Sequence, residues 1–239
     1  MFTVKICGIT CVEDARAVAA AGADAIGLNF YGPSPRYITP AAARAIVDAL
    51  PPGIVKVGLF VDADLATICR TVDDLGLDLV QLHGREPPEL LAQLGPRPVM
   101  KAFRPSGSLD PIVAYLDQCK HQGVMPRLVL LDALAAGAPG GTGTLADWSV
   151  ARRYQVEITR PTMVLAGGLT PENVARAIRE TGATAVDVAS GVESSPGRKD
   201  AAAVAALVRA ARAALKGDLE RARRPSPRPP GEGGREAGG

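Results

Sequence analysis

The feature of this sequence that most constrains its fold is a regular alternation of short apolar runs with alanine-rich amphipathic stretches. A run of about four to seven residues is too short for a buried helix and suits a buried parallel strand. The clearest helical stretch, near the C-terminus, carries Val204, Leu207, Val208, Ala211 and Leu215 on one face. The eight apolar runs span 2–6, 25–30, 55–61, 78–82, 99–103, 128–131, 162–166 and 185–188.

Eight strands that alternate with helices require a parallel sheet with crossover connections. Eight such units predict a single (β/α)8 TIM barrel over residues 1–216. A doubly wound open sheet is the alternative, but no Gly-x-Gly-x-x-Gly follows the first run. Residues 217–239 are rich in Pro, Gly and Arg, and we expect a disordered tail there because so little apolar surface can be buried.

Charge and cysteine content exclude several classes of protein. The net charge of +2 over 239 residues argues against a nucleic-acid partner, which normally requires a clustered basic face. The N-terminus lacks a signal-peptide pattern, and no apolar run approaches the roughly 18 residues of a membrane span. Four cysteines are too few for a disulfide scaffold, and two histidines leave little for a zinc site. We therefore expect a cytoplasmic protein that binds neither metal nor membrane.

Polar residues follow the predicted strands, where barrel enzymes carry their chemistry. In the first strand Lys5 and Cys7 share one face, which points Cys7 into the barrel mouth if Val4 and Ile6 face the helices. A buried structural thiol is the alternative interpretation of Cys7. Asp132 follows the sixth strand, as either a cap or a functional carboxylate.

Two further side chains are candidates for the mouth. Arg36 lies in a loop stiffened by Pro33 and Pro35, and its guanidinium could grip a carboxylate or simply be solvated. His83 could act as an acid or base, or make a structural hydrogen bond.

Glycines after the seventh and eighth strands predict a phosphate site. Backbone N–H groups of these two loops often bind phosphate in TIM barrels, and glycine permits the close approach that an anion requires. The residues concerned are Gly167 and Gly168 after the seventh strand, and Ser190 and Gly191 after the eighth. A phosphorylated substrate is therefore expected.

Taken in order, these motifs resemble the phosphoribosylanthranilate isomerase family, and the resemblance covers about residues 2–215. They are the six residues at 5–10, Asn29-Phe30 with Ser34-Pro35-Arg36, Gln81-Leu82-His83-Gly84, Asp132 with Gly140-Gly141-Thr142-Gly143, Ala166-Gly167-Gly168-Leu169 with Asn173, and the segment 187–193.

The resemblance implies an aldose–ketose isomerase of tryptophan biosynthesis that uses no cofactor. Its reaction is the Amadori rearrangement of N-(5-phosphoribosyl)anthranilate to 1-(2-carboxyphenylamino)-1-deoxyribulose 5-phosphate. By this analogy Asp132 is the general acid that opens the furanose ring, and Cys7 is the general base that removes the C2′ proton.

The resemblance also implies the substrate contacts. Arg36 would bind the anthranilate carboxylate and Asp187 the ribose hydroxyls, while His83 and Gly143 would also contact the substrate. Ala189 departs from the pattern, because a second small polar residue is expected there. The partner is then a small phosphoribosyl molecule, and the protein a monomer or homodimer.

Two other functions remain open at this stage. A ProFAR-type isomerase or another phosphosugar isomerase or epimerase is the nearest alternative, although a ProFAR-type enzyme is expected to carry an aspartate in place of Cys7. A non-catalytic barrel that binds a phosphoribosyl ligand is the other.

Overall fold

The chain folds into a closed eight-stranded parallel barrel. The structure is a computed structural model that describes residues 2–133, 148–158 and 160–223, with side chains described as far as Lys216. Strands pair in sequence order and β1 closes the barrel against β8. The strands are β1 Val4–Cys7, β2 Ala25–Asn29, β3 Val55–Phe60, β4 Leu79–Leu82, β5 Val99–Phe103, β6 Leu128–Asp132, β7 Thr162–Ala166 and β8 Val186–Val188. The predicted TIM barrel is confirmed.

Helices follow the strands around the outside. They are α1 Val12–Ala20, α2 Pro40–Ala49, α3 Leu65–Leu75, α4 Pro88–Gln93, α5 Asp110–His121, α6 Ser149–Glu157, α7 Val174–Thr181 and α8 Ala201–Arg223. In the described part of the chain, no helix combines the length and the apolar character needed to cross a membrane.

Local sequence sets where these helices begin and end. The Asp64 side chain accepts a hydrogen bond from the Thr67 backbone N–H at 2.8 Å and caps α3. Gly76 ends that helix with φ of +60°, a left-handed conformation that glycine adopts without a side-chain penalty.

Alternating side chains divide the barrel into two apolar layers. Val4 and Ile6 belong to the large cluster between strands and helices, whereas Ala25, Val57 and Met100 belong to a smaller cluster inside the barrel. Lys5 pairs in register with Ala25 and lies in the interior with no exposed surface. The predicted separation of Lys5 and Cys7 from their aliphatic neighbours is therefore correct.

Two features near the C-terminus differ from the sequence prediction. A small antiparallel hairpin, β9 Glu193–Ser195 with β10 Arg198–Lys199, follows a short 3-10 helix at Ser190–Val192. Helix α8 also continues through Arg223, seven residues into the segment that the sequence analysis assigns to the tail. Residues 218–223 contain the helix formers Leu, Glu, Arg and Ala, and Pro225 disfavours helical backbone at the residue before it. The rest of the predicted tail, 224–239, lies outside the described residues.

Candidate active site

The carboxyl ends of the strands surround a cavity of about 460 Å³. Nine of the ten predicted site residues line it: Cys7, Arg36, His83, Asp132, Gly167, Gly168, Asp187, Ser190 and Gly191. The tenth, Gly143, lies outside the described residues. Residues that the sequence separates by up to 184 positions thus share one cavity of the size of a small-molecule site.

Cys7 is the last residue of β1, and its side chain is almost wholly buried. Burial raises the pKa of the Cys7 thiol above its ordinary value, and the positive charge of the neighbouring Lys5 ammonium opposes that rise. A thiol acts as a base only as the thiolate, so Cys7 needs such a cation close by.

The Lys5 ammonium is held by Asp187 on the adjacent strand β8. Its Nζ lies 2.9 Å from both carboxylate oxygens, and the two residues are in register across the β1–β8 pair. Burial alone lowers the pKa of Lys5, but Asp187 and Cys7 hold it above its ordinary value. A buried charge of each sign is thus fixed directly beneath the cavity.

Arg36 is positioned by contacts on three sides. The backbone N–H of Arg36 donates a hydrogen bond to the Ser34 hydroxyl at 3.1 Å, and the Asn29 side-chain amide donates to the same hydroxyl at 3.0 Å. A β-carbon on Gly8 would lie 2.5 Å from Cδ of Arg36, so only glycine leaves room for this arginine. The guanidinium itself forms a two-point ion pair with Glu193.

Asp132 ends β6 and faces a different group of side chains. Nε of Arg104 donates to Oδ2 of Asp132 at 3.1 Å, and Nε2 of His83 lies 3.9 Å from the same oxygen. Burial lowers the pKa of His83 below its ordinary value, and the Arg104 charge lowers it further. The ring is therefore neutral near pH 7, and the Gln81 amide nitrogen lies 3.0 Å from its Nδ1.

The loops after β7 and β8 have the backbone shape expected for an anion site. Gly167 and Gly168 have φ of +91° and +64°, and a β-carbon on Gly191 would lie 1.9 Å from the Leu169 carbonyl oxygen. The Ala189 carbonyl accepts a hydrogen bond from Nζ of Lys199 at 3.0 Å. This contact connects the loop after β8 to strand β10. Glycine is thus required where these two loops approach each other.

Three residues at the site were missed by sequence reasoning. Arg104 directly follows β5, so the rule that polar residues after strands line the mouth could have found it. Glu193 and Lys199 lie on the hairpin, and Lys199 donates to Glu193 at 2.8 Å. Sequence carries no signal for that pair, because the partners meet only once the hairpin has formed.

Similarity to known proteins identifies the family of this chain independently of the geometry of the site. The family described as N-(5'phosphoribosyl)anthranilate (PRA) isomerase matches residues 4–210, which is most of the chain. The chain belongs to this family. It is 49% identical over 210 residues to an N-(5'-phosphoribosyl)anthranilate isomerase of Citrifermentans bemidjiense, covering 87% of this chain and 96% of the relative. Its identity to the enzyme of that name from Pseudomonas aeruginosa is 48% over 209 residues, covering 87% and 94% of the two chains.

Solved structures of the PRA isomerase family share the architecture. Phosphoribosyl anthranilate isomerase from Thermotoga maritima superimposes with a TM-score of 0.78 at 40% identity, covering 89% of this chain and all of the other. A phosphoribosyl anthranilate isomerase in complex with reduced 1-(o-carboxyphenylamino)-1-deoxyribulose 5-phosphate has a TM-score of 0.75 at 39% identity, with coverage of 89% and 100%. A further Thermotoga maritima structure, of monomers generated from the dimeric enzyme, has a TM-score of 0.73 at 38% identity and covers 89% and 99%.

Proposed function

We propose that this chain is an N-(5'-phosphoribosyl)anthranilate isomerase that works by general acid and base catalysis, with Asp132 as the acid and Cys7 as the base. The observation that carries the proposal is the meeting of a thiol, a carboxyl group and a guanidinium in one cavity of a PRA isomerase barrel. The substrate is inferred from the names of the relatives given above, and one of these proteins binds a reduced form of the product.

Two neighbouring regions of the cavity receive the two charged ends of the substrate. The loops at Gly167–Gly168 and Ser190–Gly191 receive the phosphate through backbone N–H groups. Arg36 binds the anthranilate carboxylate. The ion pair with Glu193 uses two of the five guanidinium N–H donors and leaves three for this second carboxylate.

Ring opening is the first chemical step. Asp132 in its acid form protonates the furanose ring oxygen, the bond from that oxygen to C1′ breaks, and the electron pair on the anilino nitrogen forms the C1′=N bond of the protonated Schiff base. His83 lies beside Asp132, and its Nε2 has no hydrogen-bond partner among the described residues. We assign this nitrogen as the group that hydrogen-bonds a polar atom of the substrate at that end of the cavity.

Proton abstraction follows from another side of the barrel, because Cys7 is on β1 and Asp132 on β6. The Cys7 thiolate takes the proton from C2′, the electron pair of that C–H bond forms the C1′=C2′ bond of the enolamine, and the π pair of the C1′=N bond returns to nitrogen. The enolamine then tautomerises to the ketone. Asp132 has lost a proton and Cys7 has gained one, and exchange with water restores both. Because the base must remain a free thiol, a reducing cytoplasm fits this mechanism.

Turnover of N-(5'-phosphoribosyl)anthranilate by the purified chain tests the function, with ProFAR as the comparison substrate. Conversion of the first and not of the second is expected. Conversion of ProFAR alone would instead indicate a ProFAR-type isomerase, and binding without conversion would indicate a ligand-binding barrel.

The role of Arg36 has its own test. Arg36→Met is expected to raise KM by about tenfold or more with a smaller change in kcat, since a charge-assisted contact to a carboxylate is lost. Arg70→Met on helix α3, outside this cavity, is the matched control. An unchanged KM in Arg36→Met would contradict the assignment.

A further inference from the structure

A buried ammonium group lies beside the thiol that the proposed function uses as its base. The point that a β-carbon on Gly27 would occupy lies 2.6 Å from Sγ of Cys7 and 2.9 Å from Nζ of Lys5. Gly27 pairs in register with Cys7 on the adjacent strand. The missing side chain of Gly27 therefore leaves the space in which the sulfur and the ammonium meet, and the charge of Lys5 acts on the thiol there.

Asp187 fixes the ammonium in this position. Lys5 has no exposed surface and Asp187 is 7% exposed, while both carboxylate oxygens lie 2.9 Å from Nζ. A buried ion pair of this kind gives weak support for stability by itself, because desolvation offsets much of the attraction. Its geometry does hold a cation against Cys7 in one orientation.

The other charges that face Cys7 have different partners. Lys199 on β10 and Arg36 in the loop after β2 both act on the thiol, but each forms an ion pair with Glu193. Asp187 is the carboxylate that faces the sulfur and disfavours the thiolate. Lys5 has the largest electrostatic effect on Cys7 of these four groups, and it opposes the effect of burial.

We propose that Lys5 is a positioning residue for proton abstraction, and that its ammonium, fixed by Asp187, stabilises the Cys7 thiolate that receives the C2′ proton. This inference rests on the proposed function. In the step the thiolate gains the proton, the C–H electron pair moves into the C1′=C2′ bond, and the C1′=N π pair moves to nitrogen. Lys5 keeps all three of its own protons. The ammonium thus contributes charge and orientation rather than a transferred proton.

The first test measures the titration of Cys7 directly. The rate of iodoacetamide alkylation of the Cys7 peptide is followed against pH by mass spectrometry in the full chain. In Lys5→Met the midpoint is expected to rise by roughly one to three pH units, since a nearby opposite charge has been removed. In the double variant Lys5→Met/Asp187→Asn, which leaves no unpaired carboxylate, the rise is smaller but in the same direction.

The matched control removes a second buried pair of the barrel. Lys101 and Glu86 lie 2.8 Å apart and are both nearly inaccessible, on β5 and in the loop after β4. The double variant Lys101→Met/Glu86→Gln is expected to leave the Cys7 midpoint unchanged. A Cys7 midpoint that stays at the wild-type value in a folded Lys5→Met/Asp187→Asn variant would overturn the proposal.

A second measurement uses the unmodified chain, with Cys7→Ala as its control. In protein labelled with ¹⁵N at lysine Nζ, the Lys5 signal is expected to shift at the pH where the Cys7 thiol titrates, and to lose that shift in Cys7→Ala. A Lys5 signal that is insensitive to the thiol would also overturn the proposal.

The pH dependence of kcat/KM distinguishes a failure of this inference from a failure of the proposed function. The pH at which kcat/KM rises should move upward with the Cys7 midpoint in the double variant, whereas a purely structural role of the pair would lower kcat/KM without moving this pH. Absence of turnover by the unmodified chain would mean that the proposed function fails. An unmoved thiol midpoint in a chain that turns over substrate would mean that this inference alone fails.

Discussion

The guanidinium of Arg36 and the carboxylate of Glu193 form a two-point ion pair across 157 positions of sequence, with Nε–Oε1 at 2.8 Å and Nη2–Oε2 at 2.7 Å. Glu193 also accepts a hydrogen bond from Lys199, whose ammonium donates to the Ala189 carbonyl. The loop that carries Arg36 and the loop after β8 are therefore joined through one carboxylate. In the proposed function these are the loops that bind the carboxylate and the phosphate of the substrate.

Glu193→Gln is expected to raise KM by about tenfold with a smaller change in kcat, because the loss of a charge-assisted contact costs roughly 1–3 kcal/mol and loosens Arg36. Steady-state kinetics measure both constants. Glu180→Gln is the control, since Glu180 pairs with Arg176 on the exposed face of α7. A kcat loss without a KM change would place Glu193 in the chemical step instead.

The stability of the fold is expected to depend on pH through His83. Its pKa in the folded state lies below the ordinary value because of burial and Arg104, so the unfolded chain binds the proton more readily. The contribution of neutral His83 to the free energy of unfolding is therefore complete above the pKa of the unfolded chain, about 6.5. It declines as the pH falls below that value. Urea unfolding at several pH values measures this.

The two histidines provide a matched comparison for that experiment. His83→Gln should reduce the loss of unfolding free energy between pH 7.5 and 5.5, whereas His121→Gln, at the exposed end of α5, should retain the wild-type loss. Equal pH dependence in His83→Gln and wild type would show that His83 titrates alike in the folded and unfolded chains.

Gly27→Ala is expected to reduce kcat by about two orders of magnitude, because a displacement of the order of 1 Å at a reacting group is that costly. The new β-carbon would lie 2.6 Å from Sγ of Cys7, so the thiol or the strand must move. Gly32→Ala adds the same methyl group where no atom lies within 4 Å, and should leave kcat unchanged. Wild-type turnover by Gly27→Ala would mean that the position of Cys7 is not critical.

Lys101→Met is expected to lower the free energy of unfolding by about 3–5 kcal/mol, since it leaves the Glu86 carboxylate buried without its cation. That carboxylate also accepts hydrogen bonds from the backbone N–H groups of Asp62 and Gly84. Lys56→Met removes a lysine whose partner Asp78 is 46% exposed, and should cost about 1 kcal/mol or less. Similar losses in the two variants, measured by urea unfolding, would contradict this distinction.

The barrel could be predicted from sequence because each strand is a short apolar run, and the order of the runs allows few parallel topologies. The hairpin at β9 and β10 could not, since Glu193–Ser195 and Arg198–Lys199 carry no apolar pattern. Its strands are held by polar contacts such as Lys199 to Glu193. Gly217 suggests a boundary in the sequence, whereas α8 extends to Arg223 over the helix formers that follow this glycine.

The site, like the fold, could be predicted from sequence only in part. Cys7, Asp132 and the paired glycines follow strands, so the general rule for barrels locates them at the mouth. The charged residues that contact site residues could not be located by this rule. Lys5 contacts Asp187 across 182 positions, and Arg104 contacts Asp132 across 28. Such contacts depend on strand register and side-chain direction, which one sequence does not reveal.

The most direct measurement of the central claim is kcat for N-(5'-phosphoribosyl)anthranilate in Cys7→Ala and Asp132→Asn, with folding checked by circular dichroism. The account predicts a loss of about 10²–10⁴-fold in each variant, the range for loss of a general acid or base. Cys69→Ala, which alters a thiol on α3 outside the cavity, should keep the wild-type kcat. Near-normal turnover in Cys7→Ala or Asp132→Asn would contradict the claim that this thiol and this carboxyl group carry the reaction.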